Sequence, residues 1–486
     1  MKKHDLKSSL IILIALTIQV HAQNKAELPS MQELEKMGME DWKNQIRREK
    51  FDMILPKIMK ENGVDMWIHV MRSGLEDSFG SEDLGSSSGL IVFTDTGNGK
   101  IERSVLGRRW GATQRIMQEG VYVTPESTGV YDLIYPSVFV TEYLADPMTE
   151  YDFRFKGLRE FIDARNPKVI AVNYRESLGP WETNQNVNDG ISRTDYMLLL
   201  QELGDKYAQR LISSEYLMMY YQISPVPSEV ELLKKMRADE MILVKQVFDG
   251  IKPGITKVSD LGKTEHLEVD ITAFRRMNTG LSQRGRSAGW EDAVVKGGDL
   301  IAAPSQGKFA YVLKEGEKRP PADIKRIWQE YLDVENVLYE TIRAGRTPRE
   351  IVKDYTQKLV EKNIIVVGPQ LHMFQPKNNF PTYSAGHDAT KTLISIDLHG
   401  KGMGATANKH DIYLGPRIGS YGPEWVLDIP LSENHHFVLE YFFYMPSKAS
   451  KGQDQYLLFW NHEQAIATKT GVELLFPAQK ELILIK

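Results

Sequence analysis

Histidines and carboxylates gather toward the C-terminal end of this 486-residue chain, which contains no cysteine. His399 opens the run His399-Gly400-Lys401-Gly402, His410 is followed by Asp411, and His435-His436 precede an apolar stretch that carries Glu440. Asn461-His462-Glu463 come next, and Gly471-Val472-Glu473-Leu474 after them. These side chains bind divalent metal ions or move protons. Without cysteine, thiol catalysis, disulfides and cysteine-held zinc are excluded, and His, Asp and Glu are the strong metal ligands that remain. Glu440 stands out because Phe437-Val438-Leu439-Glu440-Tyr441-Phe442 is otherwise apolar. A carboxylate there is costly unless a basic side chain or a metal offsets its charge, and the residues alone leave both open.

The elements that must position these groups follow from patterning. With 42% hydrophobic and 26% charged residues, the chain is ordered and globular. Its net charge of −5 excludes a broad basic face for nucleic acid. The first 22 residues read as an export signal: Lys2, Lys3 and Lys7, an apolar run over 10–20, then Val20-His21-Ala22 before Gln23. That run is too short to span a bilayer, so the expectation is an exported chain, periplasmic or secreted, with no membrane span after cleavage.

Residues 24–60 have helical spacing, and Met66-Trp67-Ile68-His69-Val70 reads as a buried strand. Thr96-Gly97-Asn98-Gly99 predicts a hairpin between the runs at 89–93 and 101–106. Leu158 to Arg165 predicts a helix stopped at Asn166-Pro167, with a strand over 168–173. Strands alternating with helices to about residue 215 indicate an α/β domain over 24–222. Ile223-Ser224-Pro225-Val226-Pro227 predicts an extended linker, and a second domain runs over 228–486. Its first helix is expected to be capped by Ser228 with Glu231 and to end near Gly250. Two similar helix ends, Ile251-Lys252-Pro253-Gly254 and Ile342-Arg343-Ala344-Gly345, leave a duplicated half as an open possibility.

The order of these motifs resembles the pita-bread metallopeptidases, the superfamily of methionine aminopeptidase, Xaa-Pro aminopeptidase, prolidase and creatinase. The resemblance is carried by the 223–227 linker and the Glu-rich helix after it, by Ile251-Lys252-Pro253-Gly254-Ile255-Thr256, and by Gly298-Asp299-Leu300-Ile301. Tyr311 to Glu317, His399-x-x-Gly402, the Glu440 strand and Glu463 with Gly471 to Leu474 continue it in order. It covers nearly all of the chain after the signal. It implies a creatinase-type N-terminal α/β domain followed by a pita-bread domain, with a curved mixed or antiparallel sheet flanked by helices, and a homodimer. It further implies a divalent metal (Mn, Co or Zn), with His399, Glu440 and Glu463 as ligands sharing one pocket. His410 takes the place of the histidine that contacts substrate. The spacing from His399 to His410 is long, and a slipped register would make His410 the ligand.

One departure affects the chemistry. The family's two aspartates fall in a segment that here reads Ala302-Ala303-Pro304-Ser305-Gln306-Gly307-Lys308-Phe309-Ala310, with no Asp or Glu between Asp299 and Glu315. One histidine and two glutamates leave two divalent ions underbalanced; Asp397 is a candidate substitute. Three readings follow: a metallopeptidase of Xaa-Pro type, weakened or inactive, acting on short peptides; a metal-free, creatinase-like amidinohydrolase on a small-molecule substrate; and a catalytically dead binding or assembly module. Arg275-Arg276 and Arg284-Gly285-Arg286 are expected to lie in a solvated loop.

Overall fold

A computed structural model describes residues 30–71, 77, 79–85, 89–108, 130–136, 155, 157–176, 191–261, 263–264, 267–272, 274–276, 294–367, 391–396, 398–400, 418, 427–446 and 455–486. Residues 1–22, read above as an export signal, and His410, Asp397 and Arg284-Gly285-Arg286 lie outside these residues. Three helices open the described chain: α1 (Met31–Lys36), α2 (Met39–Met53) and α3 (Leu55–Glu61). Strands β1 (Met66–Val70), β2 (Leu90–Asp95), β3 (Ile101–Arg108) and β4 (Leu133–Pro136) follow. Next come α4 (Leu158–Arg165), β5 (Ile170–Val172), α5 (Arg193–Ala208), β6 (Leu211–Ser213) and α6 (Glu215–Ile223).

The six strands make one mixed sheet in the order β4-β3-β2-β1-β5-β6. Because alternate residues of β1 point to opposite sides, Trp67 packs with Phe51, Leu55 and Tyr221, while Met66, Ile68 and Val70 pack with Leu158, Ile162, Leu199 and Leu203. The result is a three-layer α/β/α arrangement, with the predicted β2–β3 hairpin and the α4 helix ending at Asn166 in place.

The sequence departs from expectation at the linker. Helix α7 (Pro227–Gly250) begins before Ser228, with Val226 at its N-cap and Glu229 Oε2 accepting from Val226 N at 3.3 Å. Ser228 is therefore no cap, because its backbone N–H and hydroxyl are engaged by Glu49 of α2. The proline at the first helical position supplies the preset φ that starts a helix.

After α7 come short strands β7 (Lys263–Thr264), β8 (Leu267–Glu268), β9 (Asp270–Thr272) and β10 (Phe274–Arg276). They are followed by β11 (Leu300–Ala303), β12 (Lys308–Val312), α8 (Ala322–Thr341), α9 (Pro348–Glu361), β13 (Ile365–Val367), β14 (Leu393–Ile396) and β15 (His399–Gly400). The long strands β16 (His435–Pro446) and β17 (Gln455–Ala467), then β18 (Val472–Leu474) and β19 (Ile483–Ile485), complete the chain. One sheet runs β10-β17-β16-β14-β13, with β15 on β16 and β18 on β17, and a second runs β19-β12-β11-β9.

Helix α8 buries Ile324, Ile327, Tyr331, Val334 and Leu338, a spacing of three and four that forms one apolar stripe. That stripe packs on Phe437, Leu439, Tyr441 and Phe443, alternate residues of β16. Helix α9 starts on a capping box: Thr347 Oγ1 accepts from Glu350 N, and Glu350 Oε2 accepts from Thr347 N at 2.9 Å. The two halves are not equivalent after their similar helix ends. A single 3₁₀ turn (Val258–Leu261) follows the first, and the full helix α9 follows the second.

Candidate functional site

The β16–β17 hairpin carries most of the candidate chemistry, and its register decides which side chains meet. Glu440 stands opposite His462, Leu439 opposite Glu463, and Tyr441 opposite Asn461. Residues directly opposite in an antiparallel pair share a face, and neighbours along one strand do not. His462 and Glu463 therefore lie on opposite faces of the sheet.

Glu440 and His462 share the face away from α8. Glu440 is 2% exposed, and His462 Nε2 lies 4.0 Å from its Oε2. Beside them Phe442 and Trp460, also opposite in register, stack with centroids 5.8 Å apart at 8°. Trp460 lies 6.0 Å from the His462 ring, and its buried indole N–H has no acceptor among the described residues. Further along, His436 Nε2 lies 3.2 Å from Gln464 Oε1. A carboxylate facing an imidazole at 4.0 Å, beside stacked rings, can hold a cation or stabilise a proton on the ring.

Glu463 belongs to the other face, between the hairpin, α8 and the β11–β12 turn. Gly307 has φ +61° there, and a side-chain carbon on it would collide with Glu463 Oε2 and come within 3.3 Å of Asn461 Oδ1. Burial pushes the Glu463 carboxyl up to about 8 against the opposing pull of Lys308, and Glu335 pushes the same way as burial. Glu335 is itself raised by burial although Tyr331 Oη donates to it at 2.7 Å and Tyr441 Oη donates as well. Lys308, lowered by burial, donates to Pro477 O at 3.2 Å. Asn461 is wholly buried, with neither end of its amide paired among the described residues. This is a polar pocket of the core.

The expected convergence of Glu440 and Glu463 in one pocket is not what the structure shows. They are one register step apart, and a one-residue step changes face. His399 lies on β15 opposite Val438, two positions along β16 from Glu440. The β11–β12 turn brings Lys308 and no carboxylate. Among the described residues no group of three His, Asp or Glu side chains converges to hold a metal ion. The donors on the Glu440 face among the described side chains, one carboxylate with the imidazoles of His462 and His436, do not fit a two-ion centre that brings a charge of about +4.

The sequence names His462 among its histidines but gives it no role, since nothing along Asn461-His462-Glu463 marks the strand that holds them. They sit in the middle of a 13-residue strand. Polar residues fall on both faces of Asn461 to Gln464, so no alternation signalled it.

No protein-family model matches the chain, and no curated protein gives a significant match. Solved structures do resemble it over most of its length at low identity. The X-Pro aminopeptidase from Thermotoga maritima MSB8 is 15% identical, covering 88% of this chain and 100% of that one, with a TM-score of 0.48. The Xaa-Pro dipeptidase from Bacillus anthracis is 14% identical over 92% of this chain and 99% of that one, at 0.45. The prolidase from Pyrococcus horikoshii OT3 is 14% identical over 90% and 99%, at 0.43. Its helices and mixed sheets make the chain an α/β protein, similar at low identity to these Xaa-Pro peptidases.

Proposed function

We propose that the protein is peptidase-like and takes a short peptide or small molecule at the Glu440–His462 face. It holds at most one divalent ion there (Mn, Co or Zn), and cleaves Xaa-Pro peptides weakly or not at all. The observation that carries this reading is the register: Glu440 faces an imidazole, and Glu463 is turned into the core. One carboxylate and one neutral imidazole offset a single ion in part and two ions poorly. The Glu440–His462 pair favours a second reading, in which His462, turned by Glu440, accepts a proton from the attacking group without metal, as in an amidinohydrolase.

Elemental analysis of the purified chain, with cleavage of an Ala-Pro peptide and of small amidino compounds before and after chelation, tests both. At most one metal equivalent and slow or absent Ala-Pro cleavage are expected. Amidino turnover that survives chelation selects the second reading. Two equivalents with brisk Ala-Pro cleavage would contradict both. We further infer, from the N-terminal segment and the family resemblance, export with loss of residues 1–22 and a homodimer. The intact mass and light scattering of the exported chain test these two inferences.

A further inference from the structure

Where the two domains meet, buried charge is out of balance. Helix α2 lies against the start of α7, and Trp42 Nε1 donates to Ser228 O at 2.9 Å. Lys50 is 1% exposed; its Nζ lies 2.9 Å from Glu229 Oε2 and donates to Tyr221 O of α6 at 2.8 Å. Glu49, next to Lys50, accepts from Ser228 N at 2.9 Å and from Gln45 Nε2 at 2.8 Å. Asp83, in the turn after β1, is 5% exposed and close enough to feel Lys50 and Glu229.

Among the described residues, the other charged or titratable groups facing this cluster are Arg47, Glu82, Tyr221 and Tyr131. Arg47 is already held by Glu40 at 2.9 Å and by the Glu82 carbonyl at 2.8 Å. Tyr221 Oη donates to Asp83 O at 3.2 Å, and Tyr131 donates to Leu84 O. Lys50, with a lesser pull from Arg47 on Asp83, is therefore left to balance Glu49, Glu229 and Asp83. Glu229 Oε1 and Asp83 Oδ1 are buried and have no hydrogen-bond partner among the described residues.

We propose that this junction is a proton-sensitive latch: a proton on the Glu229–Asp83 pair seats α2 of the N-terminal domain on α7, and its loss loosens the seat. Burial pushes Glu229 and Asp83 each up to about 7, with Lys50 pulling the other way. Asp83 feels the charge of Glu229, so ionising one opposes ionising the other. The folded state thus holds a proton that the unfolded chain gives up. The stabilisation is fully present below the ordinary carboxylate range and is lost as pH rises through about 7.

The chain has no cysteine, so two introduced cysteines report without background. Met197→Cys on α5 and Ile242→Cys on α7, both at exposed positions in different domains, take spin labels on the full-length protein. A narrow label-to-label distance at pH 5.5 is expected to broaden or lengthen at pH 8.5, with a midpoint near 7. Added Asp83→Asn and Glu229→Gln should abolish the dependence. Glu229→Gln alone, expected to shift the midpoint, serves the comparison if the double substitution does not fold. A distance unchanged from pH 5.5 to 8.5, or the same midpoint surviving in the substituted protein, would overturn the latch.

Discussion

His462 and Glu463 are covalent neighbours with opposite surroundings. His462 faces Glu440 at 4.0 Å, whereas Glu463 is lodged between Gly307 and Lys308 with its carboxyl pushed up to about 8. The residue that admits Glu463 is Gly307, since any side chain would occupy the carboxylate's place. Gly307→Ala is expected to cost more than the roughly 1 kcal/mol of a left-handed alanine, on the order of 2 kcal/mol or above, because the collision adds to the backbone strain. Gly97, with φ +88° and open space around it, supplies the control: Gly97→Ala should cost only the backbone share. Denaturant unfolding of both variants makes the comparison, and equal losses would show that Glu463 does not depend on Gly307. At this scale Glu440 was legible, because a lone carboxylate in an apolar run demands a partner. The partner's identity was not, because it depends on which residue of another strand stands opposite.

Elements were easier to read than pairings. The strand at Met66–Val70, the β2–β3 hairpin and the helix stop at Asn166 follow from local patterns: a short apolar run, glycines that accept positive φ, and a proline that ends a helix. The linker misled for a physical reason. Two prolines suggest extended chain, yet Pro227 is at the first helical position, where a proline costs no hydrogen bond. The long strands misled too. The run of Tyr456 to Gln464 mixes aromatic and polar residues, and only pairing with the apolar β16 reveals a 13-residue strand. Register is nonlocal, so patterning along one strand cannot give it.

The whole molecule depends on how α2 seats against α7 and on what the β16–β17 hairpin presents. Lys50 balances the carboxylates of Glu49 and Glu229 where α2 lies against α7, and removing it leaves their negative charge buried without that balance. Lys50→Met is expected to cost about 3–5 kcal/mol. Adding Glu229→Gln should recover part of that loss, read as a double-substitution cycle by denaturant unfolding. A Lys50→Met protein as stable as the parent would show the pair to be incidental. The family resemblance fits the motif order along the chain, while the sharing of one metal pocket by Glu440 and Glu463 does not survive the fold. The number of manganese ions bound per chain, compared between the parent and Glu463→Gln, tests that point most directly. With Glu463 facing the core, both proteins should bind the same amount, one equivalent or less. Two equivalents in the parent that fall in Glu463→Gln would contradict the account and return Glu463 to the metal.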